Sequence, residues 1–265
     1  MLSFRDLTTG FRNLDIDPIK PIIVHASLSS FGEIRGGSDT LLGGLLANFQ
    51  SLIMPTFTYK SMITPERGPE NNGIIYGSSY SQNRMAEFFT PDMPCDRMMG
   101  ILPETIRIHP KATRSSHPIL SFAAINMDQA IALQSIQEPL APIRFLYEQE
   151  GYVLLLGVDH TVNTSIHFAE KLAGRKTFIR WALTPNGIVE CANFPSCSEG
   201  FNKTENLLND LTQSMRLGEA EIRCLAIKPM IERLCNQIKI DPLAFLCDKE
   251  ECPRCEEIRR LYRRL

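Results

Sequence analysis

The chain has no excess of either charge, with 28 lysines and arginines against 30 aspartates and glutamates in 265 residues. Without a net field, no partnership with nucleic acid or with an anionic membrane surface is expected. Long apolar runs are missing too. The longest, 152–158, ends at Asp159, far short of the ~18 to 20 residues that span a bilayer, and reads as a buried strand. Residues 1–10 include Arg5 and Asp6 and lack the apolar core and small-residue cleavage site of an export signal, so a cytoplasmic location is the expectation. Internal repeats and low-complexity tracts are also lacking, which excludes a solenoid and argues for globular structure throughout.

What is present is a chain 43% hydrophobic, long enough to bury a substantial core. Short continuous apolar runs at 22–26, 52–57, 120–124 and 152–158 suit strands covered on both faces. Helical signals lie between and after them at 39–49, 99–109, 128–133, 142–149 and 163–173, the last closed by Gly174. Residues 178–183 and 188–193 flank Asn186-Gly187 and read as a β-hairpin. Beyond them the spacing returns to helical, with Leu207, Leu208 and Leu211 on one stripe and Ile222, Leu225, Ile227, Met230, Ile231 and Leu234 on another. The expected fold class is therefore α/β: a central mixed sheet flanked by helices, with an added β-hairpin and C-terminal helices. It is expected as a single domain over 1–265, with 247–265 as a Cys-rich basic tail; the C-terminal apolar stripes read as core packing, with a homodimer through those helices as the alternative. Residues 59–94, rich in Gly, Ser, Asn and Pro, read as a long surface loop or a lid.

Three constellations before the tail carry chemistry. In the first, the strand ending Val24-His25-Ala26 runs into Ser27-Leu28-Ser29-Ser30-Phe31-Gly32, and Arg35-Gly36-Gly37-Ser38-Asp39 then precedes a helix. Small residues there let backbone N–H groups approach a phosphate, although Gly-Gly-Ser-Asp is also an ordinary turn with a helix cap. The second, Thr113-Arg114-Ser115-Ser116-His117-Pro118, sets a guanidinium and hydroxyls before a strand. Arg114 is a candidate bidentate phosphate ligand with Ser115 beside it, whereas His117 before proline reads as a structural histidine. The third follows the buried strand 152–158: Asp159-His160-Thr161-Val162, then Asn163-Thr164-Ser165-Ile166-His167-Phe168-Ala169-Glu170. Strand-to-helix junctions are where open α/β sheets place ligands, and His167 falls in the first turn of the helix. The helix dipole there favours the uncharged imidazole that a general base needs, while Glu170, three residues on, shares its face and acts in the opposite sense. Asp159, His160 and His167 lack a recognised ligand spacing, so no catalytic metal is expected. The lack of a Gly-x-Ser-x-Gly elbow argues against a hydrolase built on Ser165 and His167.

Cys95, Cys191, Cys197, Cys224 and Cys235 have no local ligand spacing and read as core thiols. Cys247-x4-Cys252-x2-Cys255 differs, because a Cys-x2-Cys step is a usual half-site for tetrahedral zinc. A structural zinc on Cys247, Cys252 and Cys255 needs a fourth ligand from Cys197, Cys235 or water. The alternative is free thiols beside the basic helix end 259–264.

Read together, His25-Ala-Ser-Leu-Ser-Ser-Phe-Gly, Met54-Pro-Thr-Phe-Thr, Met99-Gly-x3-Glu104-x2-Arg107, Arg114-Ser-Ser-His-Pro, Ser121-Phe-Ala-Ala and Leu155-Leu-Gly-Val with Asn163-Thr-Ser-Ile-His-Phe-Ala-Glu170 resemble the aminoglycoside 3-N-acetyltransferase family. The six motifs occur in order, most densely over 22–183. The resemblance implies an α/β fold unlike the GCN5-type acetyltransferases, acetyl-CoA as donor, an amine as acceptor, and His167 as base. It implies that His25, Ser27, Leu28 and Ser29 belong to the loop that holds the CoA phosphate and pantetheine groups, with Arg114, Ser115 and Thr164 as further candidates. The sequence departs from the family at Ile125-Asn126, where similar proteins tend to carry a glycine second, and 59–94 offers no clear amine-binding cluster.

The expected reaction is acetyl transfer to an amine of an aminoglycoside or related amino sugar, in a complex holding both substrates. Glu170, Glu190 and Glu199 are the carboxylates weighed as support for His167, and backbone N–H groups near Ser27 or Thr164 as oxyanion donors. Two alternatives stand beside it: a CoA-binding protein that does not turn the cofactor over, and an N-acyltransferase for a small biosynthetic amine.

Overall fold

The computed structural model describes residues 1–77 and 83–263. Among the described residues ten strands follow one another: β1 (Ile22–Ala26), β2 (Leu52–Pro55), β3 (Met62–Ile63), β4 (Ala112–Arg114), β5 (Phe122–Ile125), β6 (Tyr152–Leu156), β7 (Phe178–Thr184), β8 (Gly187–Phe194), β9 (Thr212–Leu217) and β10 (Ala220–Ala226). Seven make one mixed sheet in the order β4-β5-β2-β1-β6-β10-β9, and β3-β7-β8 make a separate antiparallel sheet. At the centre, β1 runs parallel to both β2 and β6, with Ile22 opposite Tyr152 and Ala26 opposite Leu156. Both strands of the β1–β6 pair therefore end at the same edge, which is what creates a cleft there.

The helices are α1 (Phe4–Arg12), α2 (Gly37–Leu46), α3 (Ile101–Arg107), α4 (Asp128–Ala132), α5 (Ala141–Glu148), α6 (Ser165–Leu172), α7 (Glu205–Leu208), α8 (Ile227–Ile240) and α9 (Pro253–Tyr262). Strand alternation divides them between two faces. Ile22, Val24, Leu154 and Leu156 join Leu7 and Phe11 of α1, Leu41 and Leu45 of α2, and Leu102 and Ile106 of α3 in one hydrophobic cluster. Ile23, Val153 and Leu155 join Ile143 of α5, Ile166 and Ala169 of α6, and Ile231 and Leu234 of α8 in the other. Covering both faces explains the unbroken apolar runs of β1 and β6. Each fully buried leucine of β6 contributes roughly 2 kcal/mol of transfer free energy.

Two expectations change. Helical spacing predicted over 212–226 is replaced by the hairpin β9–β10, in which Gly218 turns at φ +61° and Ala220, Ile222 and Cys224 point inward while Glu221 is exposed. The period there is two, and Ile222 and Leu225 belong to a strand. The loop 59–94 is not structureless, since Met62 and Ile63 pair with Ala182 and Trp181 as the third strand of the small sheet; residues 78–82 lie outside the described part. The apolar stripe of α8 packs inside the chain, as its helical spacing suggested, with Met230, Ile231, Leu234 and Ile238 buried in the core. The unforeseen α1 starts at Ser3, which accepts from the Asp6 N–H while Asp6 accepts from the Ser3 N–H, a reciprocal cap. No helix among the described residues is long and apolar enough to cross a membrane.

Candidate active site

Beyond the shared edge of β1 and β6 the chain makes two turns, Ser27–Gly32 and Val158–Thr164, and between them opens a cavity of about 710 Å³. Gly157 ends β6 at φ +65°, which swings the second turn away from the first; a Cβ there would lie 1.6 Å from Ser30 Oγ. The Ser30 hydroxyl donates to Ser27 O at 2.7 Å, which keeps Ser27, Leu28 and Ser29 on the cavity wall.

His167 lines this cavity from the first turn of α6, only 8% exposed, with its ring 4.8 Å from that of Phe201. Its Nδ1 is 2.6 Å from Glu170 Oε2, the i, i+3 partner on the same helical face. Glu170 itself is buried and receives Ser196 Oγ at 2.7 Å from both carboxylate oxygens and Arg175 Nη1 at 2.7 Å from Oε1. Burial pushes its carboxyl up, but the hydrogen bond from His167, the charges of His167 and Arg175 and the Ser196 hydroxyl together hold it below the ordinary carboxylate range. An ionised carboxylate can only accept, so Nδ1 is the nitrogen that carries hydrogen. In the uncharged ring the free lone pair is then on Nε2. The cluster thus presents an oriented base to a cavity large enough for a substrate.

The other two carboxylates do not reach the imidazole. Glu190 is exposed on β8 opposite Trp181, and Glu199 pairs with Lys249 at 2.7 Å on the surface. Among the cofactor candidates, His25, Ser27, Leu28, Ser29 and Thr164 line the cavity. The two serine hydroxyls, Ser27 and Ser29, are 3.1 Å apart. Burial, and then the neighbouring His160, pushes His25 down to about 3, so it is uncharged, and its Nε2 is buried without a protein partner.

Arg114 and Ser115 are elsewhere. Arg114 spends its guanidinium inside the protein, with Nε on Ser121 Oγ at 3.2 Å, Nη2 on Thr56 O at 3.0 Å, and Nη1 on Pro91 O at 3.1 Å and on Met93 O. It pins 91–93 to β2 and has little left for a phosphate. Ser115 Oγ accepts from the Phe122 N–H at 2.8 Å, again away from the cavity. His117, read as structural, accepts at Nδ1 from the Ile119 and Leu120 N–H groups at 3.2 and 3.0 Å. Ser165 Oγ is fully buried with no partner and does not line the cavity, so the Ser165–His167 hydrolase lacks its nucleophile contact. Of the proposed oxyanion donors, the Ser27 N–H is committed to Leu156 O at 3.0 Å.

Sequence reasoning missed Ser196, Arg175, Tyr59, Arg97 and Arg254. Arg175 had a local signal: Gly174, at φ +78°, turns the chain back at the end of α6, and the Arg175 N–H donates to Glu170 O at 2.9 Å. Ser196 arrives from the end of β8 and had none. Tyr59, Arg97 and Arg254 line the cavity, and burial pushes the Tyr59 phenol up to about 12. Among the described residues no aspartate or glutamate lines it.

At the C-terminus, Cys197 joins Cys247, Cys252 and Cys255, whose sulfurs all lie within 4.8 Å of one another. Cys197 is therefore not the bland core thiol its local sequence suggested. Cys235, the other weighed fourth ligand, lies outside the group.

The family model for aminoglycoside 3-N-acetyltransferase matches residues 23–238. The SPbeta prophage-derived aminoglycoside N(3')-acetyltransferase-like protein YokD of Bacillus subtilis (strain 168) is 30% identical over 63% of this chain and 64% of its own length, so the chain spans just under two thirds of that relative. Aminoglycoside N(3)-acetyltransferase IV of Salmonella sp is 24% identical over 88% of this chain and 86% of its own. The crystal structure of aminoglycoside acetyltransferase AAC(3)-IVa, apoenzyme, superposes with a TM-score of 0.79 at 26% identity over 97% of both chains. A family match over most of the length and a shared fold around the His167 cavity lead to one conclusion: the chain belongs to the aminoglycoside 3-N-acetyltransferase family, and so to the acyltransferases.

Proposed function

We propose that the protein transfers an acetyl group from acetyl-CoA to an amine of an aminoglycoside or related amino sugar, with both substrates bound and His167 as general base. The observation that carries this reading is the buried His167–Glu170 pair, Nδ1 to Oε2 at 2.6 Å, at the wall of the cavity. Nε2 accepts a proton from the amine as its nitrogen attacks the thioester carbonyl; the C–S bond then breaks, and the CoA sulfur leaves and takes up a proton. Glu170 fixes the ring and offsets the charge that develops on it. With the Ser27 N–H used in the sheet, the start of α6 at Thr164 is the better source of a donor for the oxyanion. Ser27, Leu28 and Ser29 hold the CoA arm. A structural zinc at the C-terminal cysteines takes no part in the chemistry.

Release of CoA thiol from acetyl-CoA in the presence of aminoglycosides, amino sugars and small amines tests this directly. His167→Ala is expected to lower turnover by about 10²- to 10⁴-fold while acetyl-CoA binding stays nearly intact. Unchanged turnover in that variant, or thiol release that needs no amine, would exclude the assignment. CoA binding without thiol release for any acceptor would favour a non-catalytic cofactor binder.

One observation favours a second reading of the acceptor. Among the described residues the charged side chains that line the cavity are Arg97 and Arg254, and no aspartate or glutamate lines it. A polycationic aminoglycoside gains nothing from such a wall, whereas a small biosynthetic amine with one amino group and an anionic substituent does.

A further inference from the structure

Ser196 and Arg175, which support Glu170 together with its partner His167, both lead toward the four cysteines. Ser196 directly precedes Cys197. Arg175 uses Nη2 to hold the carbonyls of Pro242 and Ala244, at 2.8 and 2.7 Å, just ahead of Cys247. A third link is Arg254, between Cys252 and Cys255 on α9, whose Nη1 donates to Pro195 O at 3.1 Å and Ser196 O at 2.8 Å. Arg254 lines the cavity, and the loop from 59 packs on its backbone, since a Cβ on Gly73 would lie 3.2 Å from Arg254 Cα. α9 itself buries only Cys255 and Ile258.

The thiols fit a metal. Zn–S bonds of ~2.3 Å in a tetrahedron set the sulfurs about 3.8 Å apart. Cys247 Sγ and Cys255 Sγ are 3.5 Å apart, and all four sulfurs lie within 4.8 Å. Cys197, Cys247 and Cys255 are buried and Cys252 half-buried, which suits a closed site lacking a coordination position for substrate.

We propose that Cys197, Cys247, Cys252 and Cys255 bind one zinc ion as four thiolates, and that this site is a staple holding Ser196 and Arg254 in place so that Glu170 stays aligned behind His167. The positioning half rests on the His167–Glu170 reading; the metal half stands on the cysteines alone. Each thiol gives its proton to solvent on binding, so uptake strengthens as pH rises. Ser196 and Arg254 act through other groups and are positioning residues.

Elemental analysis of the full chain purified without chelator is expected to give about one zinc per chain. Cys252→Ser and Cys255→Ser lose it, and Cys235→Ser, outside the group, retains it. In metal-depleted protein, amide exchange is expected to quicken over 194–198 and 242–255 but not in β1 or β6, and kcat to fall by about tenfold or more, returning when zinc is added back. A folded chain without bound metal overturns the site. A metal-depleted chain with unchanged exchange over 194–198 overturns the staple. If no acceptor releases thiol, the acetyltransfer reading fails by itself, while metal content and exchange still decide this inference.

Discussion

A carboxylate without water around it stays ionised only when donors meet both of its oxygens, and Glu170 is met by His167, Arg175 and Ser196. Glu170→Gln keeps the shape but leaves the Arg175 cation unpaired and frees the imidazole to take the wrong tautomer. A loss of ~3 to 5 kcal/mol in denaturant unfolding and a fall in kcat on the order of 10²- to 10⁴-fold are expected. A variant as active as the parent would remove Glu170 from the mechanism. A second expectation concerns acid stability. Burial pushes His25 down to about 3, with His160 adding to the effect, and it pushes His117 down to about 4. Above the ordinary value of 6.5 both states of the protein hold these rings uncharged, and stability is indifferent to them. As pH falls below that, the unfolded chain binds protons that the folded chain refuses. Stability then drops by about 1.4 kcal/mol per pH unit for each ring until its folded value is reached. Glu170, held low, adds a loss of the same sign at more acid pH. Urea midpoints between pH 7 and 5 check this, and His117→Ala should flatten the slope even as it lowers stability at neutral pH.

At the scale of elements, the position of the turns is what makes the cleft, and Gly157 is the clearest case. Gly157→Ala must hold a left-handed residue and displace Ser30, for a combined cost of ~2 to 5 kcal/mol. Adding Ser30→Gly should recover only the clash, so a double variant as unstable as the single one would place the strain elsewhere. Much of this level was legible in the sequence. The runs 22–26 and 152–158 gave the central strands because residues covered on both faces must be apolar, and Gly174 marked the end of α6. The hairpin β9–β10 was missed because Ile222 and Leu225 are three apart, a helical interval, although the alternation Ala220-Glu221-Ile222-Arg223-Cys224 and the turn at Gly218 pointed to strands. Asn126, a departure from the family's glycine, sits at φ 57° with its amide donating to Gln50 O at 2.7 Å. It is one of the few residues besides glycine that accept that backbone. His167 and Glu170 were legible because three residues on a helix make neighbours. Ser196 and its partner Arg254 were not, because only tertiary structure brings Ser196 to Glu170 and Arg254 to Ser196; Cys197 was one of three candidates for a fourth ligand, and only the fold sets it beside the tail. Arg114 misled for the converse reason: its sequence context suits a phosphate, and its neighbours are carbonyls.

For the whole molecule, balanced total charge hides a local imbalance, because both arginines that line the cavity face the same space while the carboxylate nearest His167 is buried behind the ring. In the proposed reaction acetyl-CoA gains from that field whatever the acceptor, so the acceptor's own charge has to be read with acetyl-CoA saturating. Under that condition, an amino sugar carrying a phosphate or carboxylate should show a KM that rises with added salt, as screening removes the attraction over a Debye length of about 10 Å at 0.1 M. A polyamine aminoglycoside should show the reverse. Arg97, exposed at the rim, provides the control that leaves the His167 cluster untouched. Arg97→Glu is expected to lower kcat/KM for the anionic acceptor and raise it for the polycation, by about threefold to tenfold each at low salt. If the unaltered enzyme instead turns over the polycation with a KM that salt increases, carboxylates beyond the cavity wall are recruiting the substrate, and the aminoglycoside reading of the acceptor holds against the small-amine one.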